Sequence, residues 1–401
     1  MSREPVKVIL GADAMLQRAT GIGVYARSLA QHLQQIPHIS SLRLFANGLF
    51  LDDEVLLADP INKGDATNPD KNQPELTARL RLAGIMRATL ANLPGVAALY
   101  KAVMPSIERL RLSPFKDHIF HSPNYLVPHF DGKNVVTFHD LSIQQYPEFH
   151  PAPRVRLLGQ EMERSAVVAD HVITDTELVR GEVIRFYGLS PEKVTSVPLA
   201  ASPWFMPRTE QECSGVLKRF NLRYKAFFLF ASTIEPRKNI RRICEAYRDL
   251  RKSTKVEYPL IFVGAPGWSS ESEHSDIQEL ESRGWGRYLE YVDTDILSKL
   301  YSAAAAVVFP SIYEGFGLPA LEAQQSGTPV ITTAGSAMSE FSAPHDILVN
   351  PYEVSDIRDA MQTIVGRKGA PVGADEHPAS PGHDLSWEKT ALLTAELYAR
   401  L

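Results

Sequence analysis

Short apolar runs alternate with amphipathic helical segments along most of this 401-residue chain. Short apolar runs bounded by turn-forming residues are typical of buried parallel strands. Strands that alternate with helices form βαβ units, so the sequence predicts the α/β class with two doubly wound sheets. In the first half the predicted strands are 6–10, 41–45, 118–121, 134–138 and 171–174, and in the second half 227–231, 260–263, 288–292, 306–309 and 330–333.

The length of the chain exceeds what one ordinary hydrophobic core supports, so we expect two domains. The proline-containing stretch 198–207 interrupts regular structure, which places a first domain at 1–203 and a second at 204–384. Residues 368–384 are rich in Pro, Gly and Ala and predict a linker. After the linker, Ser386 can cap a terminal helix that runs to residue 401.

The composition is that of a soluble globular protein, with 44% hydrophobic and 22% charged residues. A net charge of −5 argues against a general nucleic-acid binder. With only Cys213 and Cys244, the sequence does not favour a disulfide framework or a thiolate metal site. The apolar runs are too short for a secretory signal or a membrane span, so we expect a cytoplasmic location.

The most informative local pattern is Tyr-Glu-Gly-Phe-Gly-Leu-Pro-Ala-Leu-Glu-Ala at 313–323. Its glycines let the backbone approach a ligand, and Pro319 suits the first turn of a helix. The free N–H groups of such a helix start bind phosphate. Glu314 and Glu322 flank that start; because carboxylates repel phosphate, we expect them to bind sugar hydroxyls. The pattern therefore predicts a nucleotide-sugar site, and a glycine turn with two incidental acids is the alternative.

This run resembles the E-x7-E signature of the retaining, family 4 glycosyltransferases, which have the GT-B fold. The resemblance implies that Glu314 contacts the donor sugar and that Glu322 contacts the nucleotide ribose. It also implies two Rossmann-like domains that face a central cleft, with the acceptor side in the first domain and the terminal helix 386–401 returning to it. The backbone amides implied to meet the sugar and diphosphate belong to Phe316, Gly317 and Leu318.

A second segment, Ser-Thr-Ile-Glu-Pro-Arg-Lys-Asn at 232–239, follows a predicted strand. Open α/β sheets bind ligands at the carboxyl ends of their strands, where two cations can neutralise a leaving diphosphate. The segment resembles the second signature of the same family, although Thr233 stands where many relatives have Arg. The resemblance therefore assigns the diphosphate to Lys238, with Arg237 in a supporting role. A basic surface loop is the alternative.

Two further loops follow strands of the first half. Thr-Phe-His-Asp at 137–140 places His139 at the cleft, where the resemblance implies a hydrogen bond to the donor sugar. His139 need not be a base, because in a retaining transfer the leaving phosphate can accept the acceptor proton. Asp140 is a candidate for orienting His139 or for meeting the acceptor. Gly21 and Gly23 open a predicted helix and are candidates for contact with donor or acceptor, with an ordinary turn as the alternative.

We expect no cofactor and no essential metal. Asp293-Thr-Asp295 has the spacing of a D-x-D metal site, but its position directly before a predicted helix favours capping. The stretch 77–116 contains seven basic residues and one acid among apolar ones. It predicts either a basic amphipathic surface that rests on anionic lipid at the inner face of the plasma membrane or a solvated helical face.

The sequence thus predicts a retaining hexosyltransferase that uses a nucleoside diphosphate sugar. The Glu-Pro-Arg-Lys-Asn segment is similar to that of bacterial mannosyltransferases of O-antigen or capsule assembly, which implies GDP-mannose as donor and a lipid-linked or polysaccharide acceptor. A GT-B epimerase or phosphorylase-like enzyme is one rival. A non-catalytic carbohydrate-binding protein is another, and such a protein is expected to lose Lys238, Glu314 and Glu322.

Overall fold

The computed structural model describes residues 5–16, 21–52, 96–254, 257–367 and 385–401. The predicted linker and residues 77–95 of the basic stretch lie outside these ranges. Within them we number thirteen strands, β1 to β13, and twelve α-helices, α1 to α12.

Seven strands form the first sheet, in the order β3-β2-β1-β4-β5-β6-β7. Neighbouring strands are parallel except for the antiparallel pair β2 and β3. The strands are β1 (Val6–Gly11), β2 (Ile39–Ala46), β3 (Leu49–Leu51), β4 (Ile119–Ser122), β5 (Lys133–Phe138), β6 (His171–Thr174) and β7 (Val194–Ser196). The helices of this half are α1 (Gly21–Leu33), α2 (Val96–Leu112), α3 (Ser142–Gln145), α4 (Ala152–Val168) and α5 (Glu177–Tyr187).

Six parallel strands form the second sheet, in the order β10-β9-β8-β11-β12-β13. They are β8 (Phe228–Ala231), β9 (Leu260–Val263), β10 (Gly286–Leu289), β11 (Ala306–Phe309), β12 (Val330–Thr333) and β13 (Ile347–Val349). The helices are α6 (Glu210–Phe220), α7 (Ile240–Ser253), α8 (Glu271–Ser282), α9 (Thr294–Ala303), α10 (Leu318–Gln325) and α11 (Val354–Gly366). The two doubly wound sheets predicted from the sequence are confirmed.

The predicted strands match the observed ones except in edge positions. The strand predicted at 288–292 begins two residues earlier, at Gly286, and Tyr291 beyond its end is 78% exposed. The short strands β3, β7 and β13 were not predicted, and each lies at an edge of its sheet. A run of three residues is too short to mark a strand in the sequence, even where it is apolar, as in Leu49–Leu51 and Ile347–Val349.

The central strands are buried on both faces, which explains their uninterrupted apolar sequence. Val8, Ile9 and Leu10 in β1 have no exposed surface. The largest cluster of buried apolar side chains runs through the second half and continues along β1 and α1 of the first. The two halves therefore share a continuous core beside the cleft.

The terminal helix α12 (Trp387–Tyr398) packs beside α1. The Ser386 side chain accepts a hydrogen bond from Lys389 N, which confirms the predicted cap. The Thr390 hydroxyl donates to the Pro198 carbonyl over 2.7 Å, and the Tyr398 hydroxyl lies 2.5 Å from His121 Nδ1. This helix is thereby held against the first half of the chain.

Candidate active site

A buried ion-pair network joins the loops that follow β8 and β11. Lys238 Nζ lies 2.6 Å from Glu314 Oε1, and Arg237 Nη1 lies 3.1 Å from Glu314 Oε2. Arg237 also donates to Glu235 Oε1 over 2.8 Å and to the Tyr313 carbonyl over 2.6 Å. Burial alone would raise the pKa of Glu314, but the two cations outweigh it and lower the pKa to about 2. Glu314 is therefore a carboxylate fixed between two cations.

The local sequence explains how the two cations reach Glu314. Strands β8 and β11 are neighbours, so the loops at their carboxyl ends meet. Pro236 starts a short 3₁₀ turn that ends at Asn239, whose φ of +65° lies in the left-handed region that Asn tolerates. The Asn239 amide donates to the carbonyls of Pro310 and Pro351 and fixes the turn.

The glycine loop predicted from the sequence opens α10 as expected. Gly317 has a φ of +94°, and a β-carbon there would lie 2.4 Å from Met338 Cγ, so only glycine fits. The Phe316 ring is buried and stacks on Phe341 with 4.8 Å between ring centroids. Because the Phe316 side chain is packed in the core, only the backbone of this residue is available to a ligand.

Across the cleft, the first turn of α1 approaches the first turn of α10. Gly21 is the first residue of α1, and a β-carbon on it would lie 3.7 Å from Leu318 Cδ1. Gly23 lies in the same turn of α1 and is buried. The structure thus brings Gly21 and Leu318 together, while residues 17–20 of the preceding loop lie outside the described ranges.

Gly315 lies directly against the loop of His139 in the first half. A β-carbon at this position would lie 1.7 Å from the His139 carbonyl oxygen. The Thr176 hydroxyl donates to the Gly315 carbonyl over 3.0 Å. The loop that carries Glu314 is therefore pressed directly against the loop that carries His139.

His139 is 9% exposed and both of its ring nitrogens have partners. Nδ1 lies 2.7 Å from Asp175 Oδ2, and Nε2 lies 2.9 Å from the Pro123 carbonyl oxygen. Asp140, one of the candidates for orienting His139, instead accepts from Ser142 N at the start of α3. Asp175, and not Asp140, therefore makes the hydrogen bond to His139, and contact of Asp140 with the acceptor stays a prediction.

Asp175 was missed by the sequence analysis. Phe138 and Thr174 are opposite each other in the register of β5 and β6, so the next residues, His139 and Asp175, leave the sheet side by side. The sequence did show an acid directly after a predicted strand. Only the pairing of β5 with β6 shows that this acid lies beside His139.

Glu322 lies one turn inside α10, as predicted, and is only partly exposed. Burial raises the pKa of Glu322 to about 8, and the neighbouring Tyr301 hydroxyl opposes the shift. At neutral pH the free protein therefore carries mostly a protonated acid at this position.

Several polar contacts across the cleft were not foreseen. The Tyr313 hydroxyl donates to Glu182 over 2.6 Å and accepts from Leu141 N. Both carboxylate oxygens of Glu340 accept backbone N–H groups at the start of α5, those of Glu177 and Leu178, over 3.0 and 2.7 Å. Each contact joins residues more than a hundred positions apart in the chain, so local patterns could not predict it.

Both acids of the D-x-D pattern stabilise the start of α9. Asp293 accepts from Ile296 N over 2.8 Å and caps the helix, as expected, while Asp295 pairs with Lys299 over 2.6 Å. Across the described ranges, no group of three or more His, Cys, Asp or Glu side chains is arranged to hold a metal ion. None of the helices in those ranges is long and apolar enough to cross a membrane.

Two solved structures share this arrangement of sheets and cleft. Sucrose-phosphate synthase from Thermosynechococcus elongatus superposes with a TM-score of 0.70 at 19% identity, over 98% of both chains. HepE from Anabaena, solved in complex with UDP-glucose, gives a TM-score of 0.63 at 14% identity, over 98% of this chain and 100% of that one. These neighbours have the GT-B fold of glycosyltransferases, which confirms the predicted fold.

The sequence comparisons define the class further. The family described as "Glycosyl transferases group 1" matches residues 218–370, a range that contains Lys238, Glu314 and Glu322. O-antigen chain mannosyltransferase B from Escherichia coli is 31% identical over 397 residues, which are 99% of this chain and 100% of that protein. The chain belongs to the group 1 glycosyl transferases, and the prediction of a glycosyltransferase is confirmed.

Gly315→Ala is expected to hold the two halves apart, because its β-carbon would overlap the His139 carbonyl oxygen. A displacement of about 1 Å at a catalytic cleft can cost roughly a hundredfold in rate. Sugar transfer by the purified variant, with circular dichroism to check folding, measures the effect. Gly366→Ala, where the added carbon meets open space, is the control. Wild-type activity in Gly315→Ala would contradict the close approach.

Glu314→Gln is expected to lower kcat by at least about a hundredfold, since a preorganised charged partner is lost. It is also expected to lower the free energy of unfolding by about 3 kcal/mol, because two buried cations lose the charge between them. Urea unfolding and donor turnover, measured where the variant is folded, test both effects. Glu257→Gln, with an 81% exposed side chain, is the control. Near-normal turnover by folded Glu314→Gln would refute the assignment.

Proposed function

We propose that this glycosyltransferase moves a mannosyl residue from GDP-mannose to a lipid-linked or polysaccharide acceptor, with retention of configuration, in O-antigen or capsule assembly. The observation that carries the proposal is the full-length similarity to the Escherichia coli O-antigen chain mannosyltransferase B. The similarity covers both halves of the chain and not only the nucleotide-sugar half, so it includes the side on which an acceptor would bind.

The ion-pair network supports specific roles for its members. Lys238 and Glu314 neutralise each other in the free protein. A diphosphate would draw Lys238 away and leave Glu314 Oε1 free to accept a sugar hydroxyl. Arg237 would meanwhile hold Glu314 Oε2 in place, since it is also anchored to Glu235 and to the Tyr313 carbonyl. Lys238 is then the diphosphate ligand and Arg237 the support for the sugar-binding carboxylate.

The start of α10 supports binding of the diphosphate without a metal ion. Gly317 and Leu318 lie where backbone N–H groups have no partner from a preceding helical turn. The helix dipole adds a partial positive charge at the same end. We assign the amides of Phe316, Gly317 and Leu318 to the sugar and diphosphate, and Glu322 to the ribose.

The division of strands supports the predicted domains. The first sheet ends with β7 at Ser196 and the second begins with β8 at Phe228, so a boundary in 198–207 separates them. We propose one domain at 1–203 that is completed by helix 386–401, and a second at 204–384.

A peripheral membrane contact through α2 and its surroundings is the second part of the proposal. Leu110 is 73% exposed and Val103 is 41% exposed on this helix. The side chains of Arg109 and Lys116 are mostly exposed and share Asp131 as their ion-pair partner. Exposed apolar and basic side chains on and next to one helix suit the cytoplasmic face of an anionic membrane, where a lipid-linked acceptor would be found.

The donor is tested by competition. With equal concentrations of GDP-mannose, UDP-glucose and UDP-N-acetylglucosamine and a lipid-linked acceptor, we expect GDP to be released ahead of UDP. Chromatography of the released nucleotides measures the preference, and Lys238→Ala, which removes the diphosphate cation, is the background control. Preferential UDP release would overturn the donor assignment while the family membership stands.

The ribose contact predicts proton release on nucleotide binding. Glu322 is mostly protonated at pH 7, because its pKa of about 8 lies above that pH. Ribose hydroxyls donate to a carboxylate, so binding favours the ionised form and expels a proton, and affinity rises as the pH approaches 8. Calorimetric titration with GDP at pH 7 in buffers of different ionisation enthalpy measures this release. If Glu322→Gln released as much proton as the wild type, the ribose role would be wrong.

A further inference from the structure

The pair formed by His139 and Asp175 fixes the number of protons on the imidazole. The Pro123 carbonyl can only accept, so Nε2, at 2.9 Å from it, must carry a hydrogen. Nδ1 lies 2.7 Å from a carboxylate oxygen, a distance typical of a charge-assisted hydrogen bond. Neither ring nitrogen has a free lone pair, so His139 in this arrangement donates hydrogen bonds and cannot act as a base.

Asp175 serves His139 alone within the described part of the chain. The Asp175 side chain is 2% exposed, Oδ2 is bound by His139, and Oδ1 is buried with no partner among the described residues. A buried carboxylate is costly unless it is paired. Asp175 caps no helix and bridges no loops there, so a charge on His139 is what offsets its burial.

The other groups around His139 do not replace that charge. Tyr25 from α1 and Tyr125 from the loop after β4 meet the ring edge-on at 5.0 and 6.0 Å between centroids. Burial raises the pKa of both tyrosines, so they stay neutral. Burial lowers the pKa of His121 in β4 to about 3, so it is neutral as well. Two charged groups lie nearby among the described residues: Asp140, in the loop of His139, and Arg237, which faces Tyr125 from the second half.

We propose that Asp175 is a positioning residue for sugar transfer: it keeps the His139 imidazole doubly protonated, so that an oxygen of the donor sugar can replace the Pro123 carbonyl on Nε2–H. The proposal rests on the placement of the donor sugar beside His139. That placement fits the contact between the His139 carbonyl and Gly315, which follows the proposed sugar-binding Glu314 directly.

The charge of Asp175 decides how the protonation of His139 responds to pH. Burial lowers the pKa of His139, but the Asp175 carboxylate outweighs burial and raises the pKa above its usual range. With Asp175, the imidazole keeps both hydrogens through neutral pH. Without the carboxylate, only the Pro123 carbonyl and the Asp140 charge oppose burial, so the pKa of His139 falls and the ring becomes neutral at a lower pH. The neutral ring then keeps its hydrogen on Nε2, because the Pro123 carbonyl can only accept while an amide at position 175 can donate to Nδ1. The sugar then meets a neutral Nε2–H in place of a charge-assisted donor, which is about twice as strong.

The variant Asp175→Asn tests this, since its amide has the shape of the carboxylate but carries no charge. We expect kcat/KM to fall by about tenfold at pH 8.5, because a neutral hydrogen-bond donor replaces a charge-assisted one. The loss should shrink as the pH is lowered below 6 and the imidazole of the variant regains its proton. Glu177→Gln removes a charge two residues away, with a side chain that is 67% exposed, and should leave the profile unchanged. A loss that is the same at every pH would mean a merely structural role and overturn the proposal.

A second measurement needs neither donor nor acceptor. In ¹⁵N-histidine NMR spectra of the full chain, with the His139 signals assigned by a His139→Gln variant, the wild type should show two protonated ring nitrogens at pH 7.5. Asp175→Glu, which keeps the charge, should retain them, and Asp175→Asn should show one. A single protonated nitrogen in the wild type would overturn the proposal even if Asp175→Asn did not fold. If the wild type showed two protonated nitrogens and Asp175→Asn had normal activity, the proposed contact between the donor sugar and His139 would be wrong.

Discussion

The position of Glu314 between Lys238 and Arg237 is the interaction on which the cleft depends. Four charges removed from water are costly unless each is paired, and here Lys238 and Arg237 each contact one oxygen of Glu314, while Arg237 also pairs with Glu235. The network holds together the ends of β8 and β11, the two central strands of the second sheet. It thereby links the loop before α10 to Lys238, the cation proposed to bind a diphosphate. A nucleotide sugar would exchange one set of these pairings for another, because its diphosphate would take the place of Glu314 beside Lys238.

The fold could be read from the sequence because both faces of each central strand are buried. Burial on two faces leaves an uninterrupted apolar run, and such runs marked the longer strands of both sheets to within about three residues. The same reasoning fails at sheet edges, where β3, β7 and β13 have three residues each and one strand neighbour. The glycine loop was also readable, since Gly317 needs a φ of +94° that other residues avoid.

The sequence predicted where the site residues lie better than it predicted which side chains they contact. The sequence placed His139 at the cleft but suggested Asp140 as its neighbour, whereas strand register supplies Asp175. It predicted Glu314 as a ligand but did not foresee that this residue is only 8% exposed and lies between two cations. In both cases the contact joins parts of the chain that are distant in sequence. Such contacts follow from how the strands pair and how the loops at their ends meet, which local sequence patterns do not show.

The carboxylate of Glu340 makes the stability of one helix depend on the distance between the two halves. It supplies the acceptors for two backbone N–H groups at the start of α5, a helix that belongs to the opposite half. When the halves separate, those groups turn to water and the first turn of α5 loses a cap worth about 1 kcal/mol. The amides of Glu177 and Leu178 thus form a natural reporter: their exchange with solvent deuterium would follow the opening of the cleft without any introduced label.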